Sequence, residues 1–279
     1  MGLFFLLSIH DADCGIDRST WFGQEAKVSE EVPQLFFKAY STNIESVTDS
    51  VTLFCIPFAG GSAYSYRSIE QRMNRAIKVV ALELPGRGRR LNETRFTCLH
   101  GMALDLLSIM RPLLGQPYAI FGHSMGGLLS YLITCQLVKE QLTLPIHLII
   151  SGKEPPHRIK SEAPWHTLPM NEFKRKLAEL GGCPASILAD NELMEYFAPI
   201  IRDDMQAMAS YTYEPFPPLN VPISVMIGSS ETTTIAEAAE WRDMTTSNFS
   251  AMEYEGGHFF LFDHIDSVCT RVHEALINL

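Results

Sequence analysis

From about Val51 onward the chain alternates short, β-rich apolar runs with longer amphipathic stretches, and this beat constrains the fold more than any other feature. The runs "VTLFCIPF", "KVVALELP", "YAIFGH", "IHLIISG", "PISVMIG" and "FSAMEYE" read as strands. Between them, "YSYRSIEQRMNRA", "CLHGMALDLLSIMRPLL", "GGLLSYLITCQLVKEQ" and "TIAEAAEWRDMT" have helical spacing, and "DSVCTRVHEALINL" closes the chain as a final amphipathic helix. Strands that alternate with helices predict an α/β fold, a mostly parallel sheet covered by helices on both faces. The beat breaks twice. Residues 1–50 are weakly patterned and read as an N-terminal extension to a domain spanning 51–279. From about 153 to 215 two helical segments, "MNEFKRKLAELGG" and "NELMEYFAPIIRDDMQAMASY", replace the strands, as expected of a helical cap or lid over a pocket.

Composition excludes several partners. The 22 Lys and Arg residues face 32 Asp and Glu, a formal charge of −10, and no basic block is interleaved with aromatics, so nucleic acid is not an expected ligand. Six cysteines are scattered without a CxxC pair, which predicts a reduced, cytoplasmic protein with neither a disulfide framework nor a zinc site. The opening "MGLFFLLSIHDADCG" has an apolar run too short to span a bilayer and no basic segment before it, and Leu6 stands where a myristoylation signal needs Ser or Thr; no membrane association is expected.

The chemistry concentrates in "YAIFGHSMGGLLSYL". Gly122-His123-Ser124-Met125-Gly126 has the form G-x-S-x-G, with an apolar strand entering it and an amphipathic helix leaving it. That context suits a tight turn in which glycines two residues either side let chains approach and the hydroxyl stands clear at the strand's end. A serine needs a base to take its proton, and in such a fold the base comes last in chain order. His258, after a strand and the pair Gly256-Gly257, fits better than His264 at the next helix start or His273 within that helix; His123 should point away. The third member should be a carboxylate after the strand that precedes the histidine's strand, where Glu231 stands past "ISVMIG"; Glu154 past "IHLIISG" is the rival. Ala59-Gly60-Gly61 ends the first strand in an exposed-backbone turn, so the amides of Ala59 and Met125 are candidate oxyanion donors.

Taken together, "PFAGGSAYSY", "ELPGRGRR", "FGHSMGG", "ELGGCP", "PIIRDDMQAMASYTY" and "GGHFFLFD" resemble the type II thioesterases, stand-alone α/β-hydrolases that accompany polyketide and nonribosomal peptide synthetases, with the animal medium-chain fatty-acyl thioesterase as a relative. The resemblance runs from about Thr52 to the C-terminus. It implies an α/β-hydrolase fold and hydrolysis of acyl thioesters from the phosphopantetheine arm of an acyl or peptidyl carrier protein, with Ser124 as nucleophile, His258 as base and no metal or organic cofactor. The family usually has Asp where this chain has Glu231. Met194, Phe197, Met205 and Met208 are candidate walls of an adaptable acyl pocket, although packing of the cap onto the body explains the same residues. Two other readings use the same features: a carboxylesterase or acyltransferase with the same triad, and a non-catalytic synthase-docking protein with a decayed one. Arg87, Arg89 and Arg90, or Lys174, Arg175 and Lys176, are the basic clusters available for docking an acidic carrier protein.

Overall fold

The computed structural model describes residues 50–159 and 164–277, so the expected extension lies, but for Ser50, outside the described residues. All six expected strands form: β1 (Val51–Ile56), β2 (Ile77–Ala81), β3 (Tyr118–His123), β4 (His147–Ser151), β5 (Ile223–Gly228) and β6 (Phe249–Tyr254). They make one sheet in the order β2-β1-β3-β4-β5-β6. Every neighbouring pair runs parallel. From β1, one strand in from the edge, the chain moves out to β2 and returns across β1 to β3. That reversal of winding opens a crevice at the carboxyl ends of β1 and β3, where open α/β sheets bind their ligands.

The helices are α1 (Arg67–Glu70), α2 (Leu99–Met110), α3 (Met125–Lys139), α4 (Met170–Leu180), α5 (Ala185–Ala189), α6 (Asn191–Ala209), α7 (Ile235–Ala238), α8 (Phe260–Asp263) and α9 (Ile265–Ile277). Alternate strand residues serve opposite faces: Phe54, Ile56, Ile120 and Ile150 pack with α2 and α3. Leu53, Cys55, Phe121 and Ile149 pack with α9. Strands β3 and β4 are buried along their whole length, which is why their middles, "AIF" and "LII", lack the polar alternation of a half-exposed strand. Each fully buried Leu, Ile or Phe contributes roughly 1.5–3 kcal/mol, so this double core sets the rigidity of the strand ends above it.

Two expected helices are shorter than their periodicity suggests. "YSYRSIEQRMNRA" forms a 3-10 turn at Ala63–Tyr66 and the single turn α1. The Asn74 side-chain oxygen then accepts from the Ala76 N–H at 3.0 Å and ends the helical run ahead of β2. In "TIAEAAEWRDMT" the α-helix stops at Ala238 and tightens to 3-10 through Met244. There Trp241 is fully buried and donates its indole N–H to the Lys153 carbonyl at 2.8 Å.

Between β4 and β5 lie α4, α5 and α6. They carry a small core of their own: Phe173, Leu177, Met194, Ala198 and Ile201, flanked by the half-buried Phe197 and Met205. Asp190 caps α6 by accepting from the Leu193 N–H at 3.1 Å.

Candidate active site

Strand β3 ends at His123 and α3 begins at Met125, so a single residue, Ser124, makes the turn. It does so at φ 53° and ψ −122°, a conformation that L-residues rarely adopt and that costs about 1–3 kcal/mol. The turn is held from the neighbouring strand, because the Ser124 N–H donates to the Ser151 carbonyl at 2.7 Å. Gly126 is required by proximity: a Cβ there would sit 2.3 Å from the Ile56 carbonyl oxygen and 2.8 Å from that of Pro57. The carboxyl end of β1 and the start of α3 therefore touch.

His258 follows Gly256-Gly257 at the end of β6. Its Nε2 lies 2.9 Å from the Ser124 hydroxyl oxygen, and its Nδ1 lies 2.8 Å from the Glu231 carboxylate. With Nδ1 protonated, the histidine donates to Glu231 and accepts from Ser124, a continuous chain across three strand ends. The histidine and the carboxylate are largely withdrawn from water, His258 at 15% exposure and Glu231 at 7%.

The extra methylene of Glu231 is taken up within its own turn. Its second carboxylate oxygen accepts from the Gly228 N–H at 3.0 Å, and its own N–H donates to the Gly228 carbonyl at 3.2 Å, so the side chain folds back before reaching the histidine. The acid and histidine turns are also zipped together, Ser229 N–H to the Tyr254 carbonyl and Ser230 N–H to that of Gly256, each at 2.8 Å. Only glycine fits at 228, since a Cβ would meet the Gly257 and Gly256 carbonyl oxygens at 2.4 and 2.7 Å. Glu154 is engaged elsewhere, accepting from the buried Lys153 ammonium at 3.0 Å.

The other histidines have their own surroundings. His264 bonds the Glu255 carbonyl, and His273 pairs with Asn74. His123 is fully buried, with Nδ1 3.0 Å from the Ser151 hydroxyl and its ring 4.8 Å from that of His258. Burial first, and the neighbouring His258 second, hold its basicity well below the usual imidazole range. It stays neutral beside His258 and adds no charge there.

Gly61 N–H donates to the Phe58 carbonyl at 2.8 Å, which closes a β-turn over Phe58–Gly61. In a turn closed this way the N–H of the second residue, Ala59, has no internal partner. Among the described residues neither the Ala59 nor the Met125 N–H has a protein acceptor.

The remaining candidates separate. Met194, 1% exposed, packs inside the α4–α6 insertion with Phe173 and Leu177; Phe197 and Met205 lie at the edge of that cluster, and Met208 packs against the main core. The expectation that Arg87 and Arg90 are solvated docking cations is corrected. Arg87 is 3% exposed and forks onto Asp204, Nη1 to Oδ2 at 2.6 Å and Nη2 to Oδ1 at 2.7 Å. Arg90 is spent on Asp105, Glu93 and the Glu83 carbonyl. In the second cluster Arg175 and Lys176 pair with Glu179, and Lys174 bonds Asn191. Sequence reasoning missed Asp204. The available signal was its place at helical spacing after Met194, Ala198 and Ile201, a carboxylate on an apolar stripe that must find a buried partner.

Among the described residues no group of three or more His, Cys, Asp or Glu is placed to hold a metal, and no helix is long and apolar enough to cross a membrane.

Comparison with known proteins agrees with this geometry. Residues 51–276 match the family profile described as the thioesterase domain. The gramicidin S biosynthesis protein GrsT of Aneurinibacillus migulanus is 32% identical over 241 residues, 85% of this chain and 94% of that protein. Among solved structures, the RedJ thioesterase from the prodiginine biosynthetic pathway in Streptomyces coelicolor superposes with a TM-score of 0.78 at 28% identity, covering 94% of this chain and 100% of that one. The type II thioesterase BorB from the borrelidin biosynthetic cluster does so with a TM-score of 0.78 at 30% identity, covering 85% and 96%. An α/β-hydrolase sheet, a serine at its elbow and these likenesses lead to one conclusion: the chain belongs to the thioesterase family, and within it to the type II thioesterases, which are serine hydrolases.

Proposed function

We propose that this enzyme hydrolyses acyl groups from the phosphopantetheine arm of an acyl or peptidyl carrier protein, clearing or releasing them during polyketide, nonribosomal peptide or fatty acid synthesis. The observation that carries the reading is the unbroken hydrogen-bonded chain Ser124–His258–Glu231 beside two unpartnered amides. Relatives named for gramicidin S, prodiginine and borrelidin biosynthesis support the setting.

In the first half-reaction the Ser124 oxygen attacks the thioester carbonyl while His258 Nε2 takes the hydroxyl proton. The negative charge that develops on the carbonyl oxygen is met by the Ala59 and Met125 N–H groups, donors already in place and needing no reorganisation. The tetrahedral adduct collapses, the C–S bond breaks, and the pantetheine sulfur leaves with the proton from His258. In the second half-reaction His258 deprotonates water, which attacks the acyl-serine ester, and the serine recovers its proton as the carboxylic acid departs. Glu231 holds the proton on Nδ1 and stabilises the imidazolium in both halves. This chemistry calls for no metal or organic cofactor.

The complete chain of contacts opposes a decayed, purely docking role. Loading one carrier protein with a panel of acyl groups tests the reading. Wild-type enzyme should release them and Ser124→Ala should not, while simple aryl esters of the same acids should turn over more slowly. Undiminished release by Ser124→Ala, or a preference for the aryl esters, overturns it.

A further inference from the structure

The turn that presents the Ala59 amide is held by a buried charge pair contributed from elsewhere in the chain. Gly60, at the third position of that turn with φ +74°, donates its N–H to Asp204 Oδ2 at 2.7 Å. Asp204, on α6, is fully buried, and its carboxylate is gripped by the bidentate Arg87 fork. Arg87 Nη1 also donates to the Gly61 carbonyl at 3.2 Å, so the pair straddles the turn. Ile201, one helical turn before Asp204, closes the remaining side, because a Cβ on Gly60 would fall 2.7 Å from its Cγ1.

Positive φ at the third residue marks a type II turn, which differs from type I by a flip of the central peptide, the one that carries the Gly60 N–H. A carboxylate bound to that N–H selects the flip, and together with the Arg87 bond to the Gly61 carbonyl it pins in place the turn whose second residue carries the Ala59 N–H. An uncompensated carboxylate one peptide from an oxyanion site would also repel the charge that develops there, and the Arg87 fork neutralises it while adding two charge-assisted bonds.

We infer that Arg87 and Asp204 are positioning residues for the oxyanion turn, through which α6 of the insertion sets the competence of the hydrolytic site. Neither touches the reacting atoms; both act through the turn, Asp204 at the Gly60 N–H and Arg87 at the Gly61 carbonyl. The inference rests on the hydrolytic reading above and deepens it.

The test is the double variant Arg87→Met/Asp204→Leu, in which apolar side chains of similar length replace the pair and the fold is retained, as buried ion pairs replaced in this way allow. At a temperature well below its melting point, kcat should fall roughly 10- to 100-fold, at or below the loss of a whole oxyanion donor, with KM within about threefold. Inhibition by an acyl trifluoromethyl ketone, which adds to the serine and places an oxyanion in the hole, should weaken by the same factor, while binding of a non-reacting acyl-pantetheine thioether should not change. Wild-type kcat in the folded double variant, or equal weakening of both ligands, overturns the inference. A measurement on the wild-type protein stands apart from any folding defect: the Gly60 amide, on a half-exposed loop, should exchange slowly with solvent, and free exchange overturns the inference. Ser124→Ala separates the two levels. If it keeps activity the hydrolytic reading fails; if it is inactive while the double variant is not, only the role of the pair fails.

Discussion

The rim of the sheet and the α4–α6 insertion face the same crevice but are built on different terms. The rim hangs Ser124, Glu231 and His258 from β3, β5 and β6, whose flanks lie in a two-sided core and whose turns are stitched backbone to backbone. The insertion has a core of a few residues and meets the rim at small contacts: the Asp204–Arg87–Gly60 knot, the Arg95–Asp203 pair, and Gly182, against which the ring of Phe259, the residue after His258, is packed. Precision resides where covalent reach is short and burial is deep. Adaptability resides where a few polar contacts and the apolar foot of α6, Ala207 and Met208, hold a small helical body.

The strongest way to break this contrast is at the rim. Glu231→Gln keeps size and packing but favours the wrong histidine tautomer, and kcat on an acyl-pantetheine thioester should fall by about 10³–10⁴. Glu154→Gln should stay within about twofold of wild type; the reverse ranking in the same assay would move the triad acid to β4. Next in size is Met194→Ala, which empties space in the insertion's own core at a cost of about 2–4 kcal/mol. Hydrogen exchange should accelerate across residues 170–209 and leave β3 and β5 unchanged. Uniform acceleration would show that the insertion and sheet unfold as one unit.

The smallest effect concerns the body alone. Burial holds the His147 imidazole down to about 4 from the ordinary 6.5. The unfolded chain takes up that proton as pH falls through 6.5 and the folded chain does not until about 4, so the stability this residue lends is complete above pH 6.5 and drains away below it. By pH 5 the loss reaches up to about 2 kcal/mol. His147→Gln, which can keep the bond to the Ser224 hydroxyl, should flatten the fall in melting temperature between pH 7 and 5; an unaltered slope would assign it to other groups, the buried His123 foremost.

Much of the body was legible because its signals are local. Each strand of the sheet announces itself by a short run rich in apolar and β-branched residues, most weakly in β6, "FSAMEY", and the elbow by glycines flanking Ser124. The order of serine, acid and histidine along the chain sufficed to place His258 in a turn at a strand end. Position along the chain favoured Glu231 over its rival Glu154, but both lie in turns after strands, and the contact with His258 depends on which turn the Gly256-Gly257 loop is zipped to. The basic run in "PGRGRR" misled for a related reason. Charge alone marks a surface residue, and only the fold reveals that Asp204, far along the chain, draws Arg87 inside. The two short helices were overestimated because periodicity sees side-chain faces and not the Asn74 and Trp241 contacts that stop or tighten the coil.

The zipped acid and histidine turns also bear on how the enzyme matures. Ser124 and His258 are 134 positions apart, and the Gly228–Tyr254 rung that brings Glu231 to the histidine closes the last-made edge of a wholly parallel sheet. Between Ser124 and His258 the sheet must also close parallel pairs as distant as Leu148 and Ile223, and such non-local pairings carry the loop-closure cost of slow folding. On the proposed mechanism, hydrolytic competence arrives only when β6 has docked, and until then the serine elbow is an inert turn.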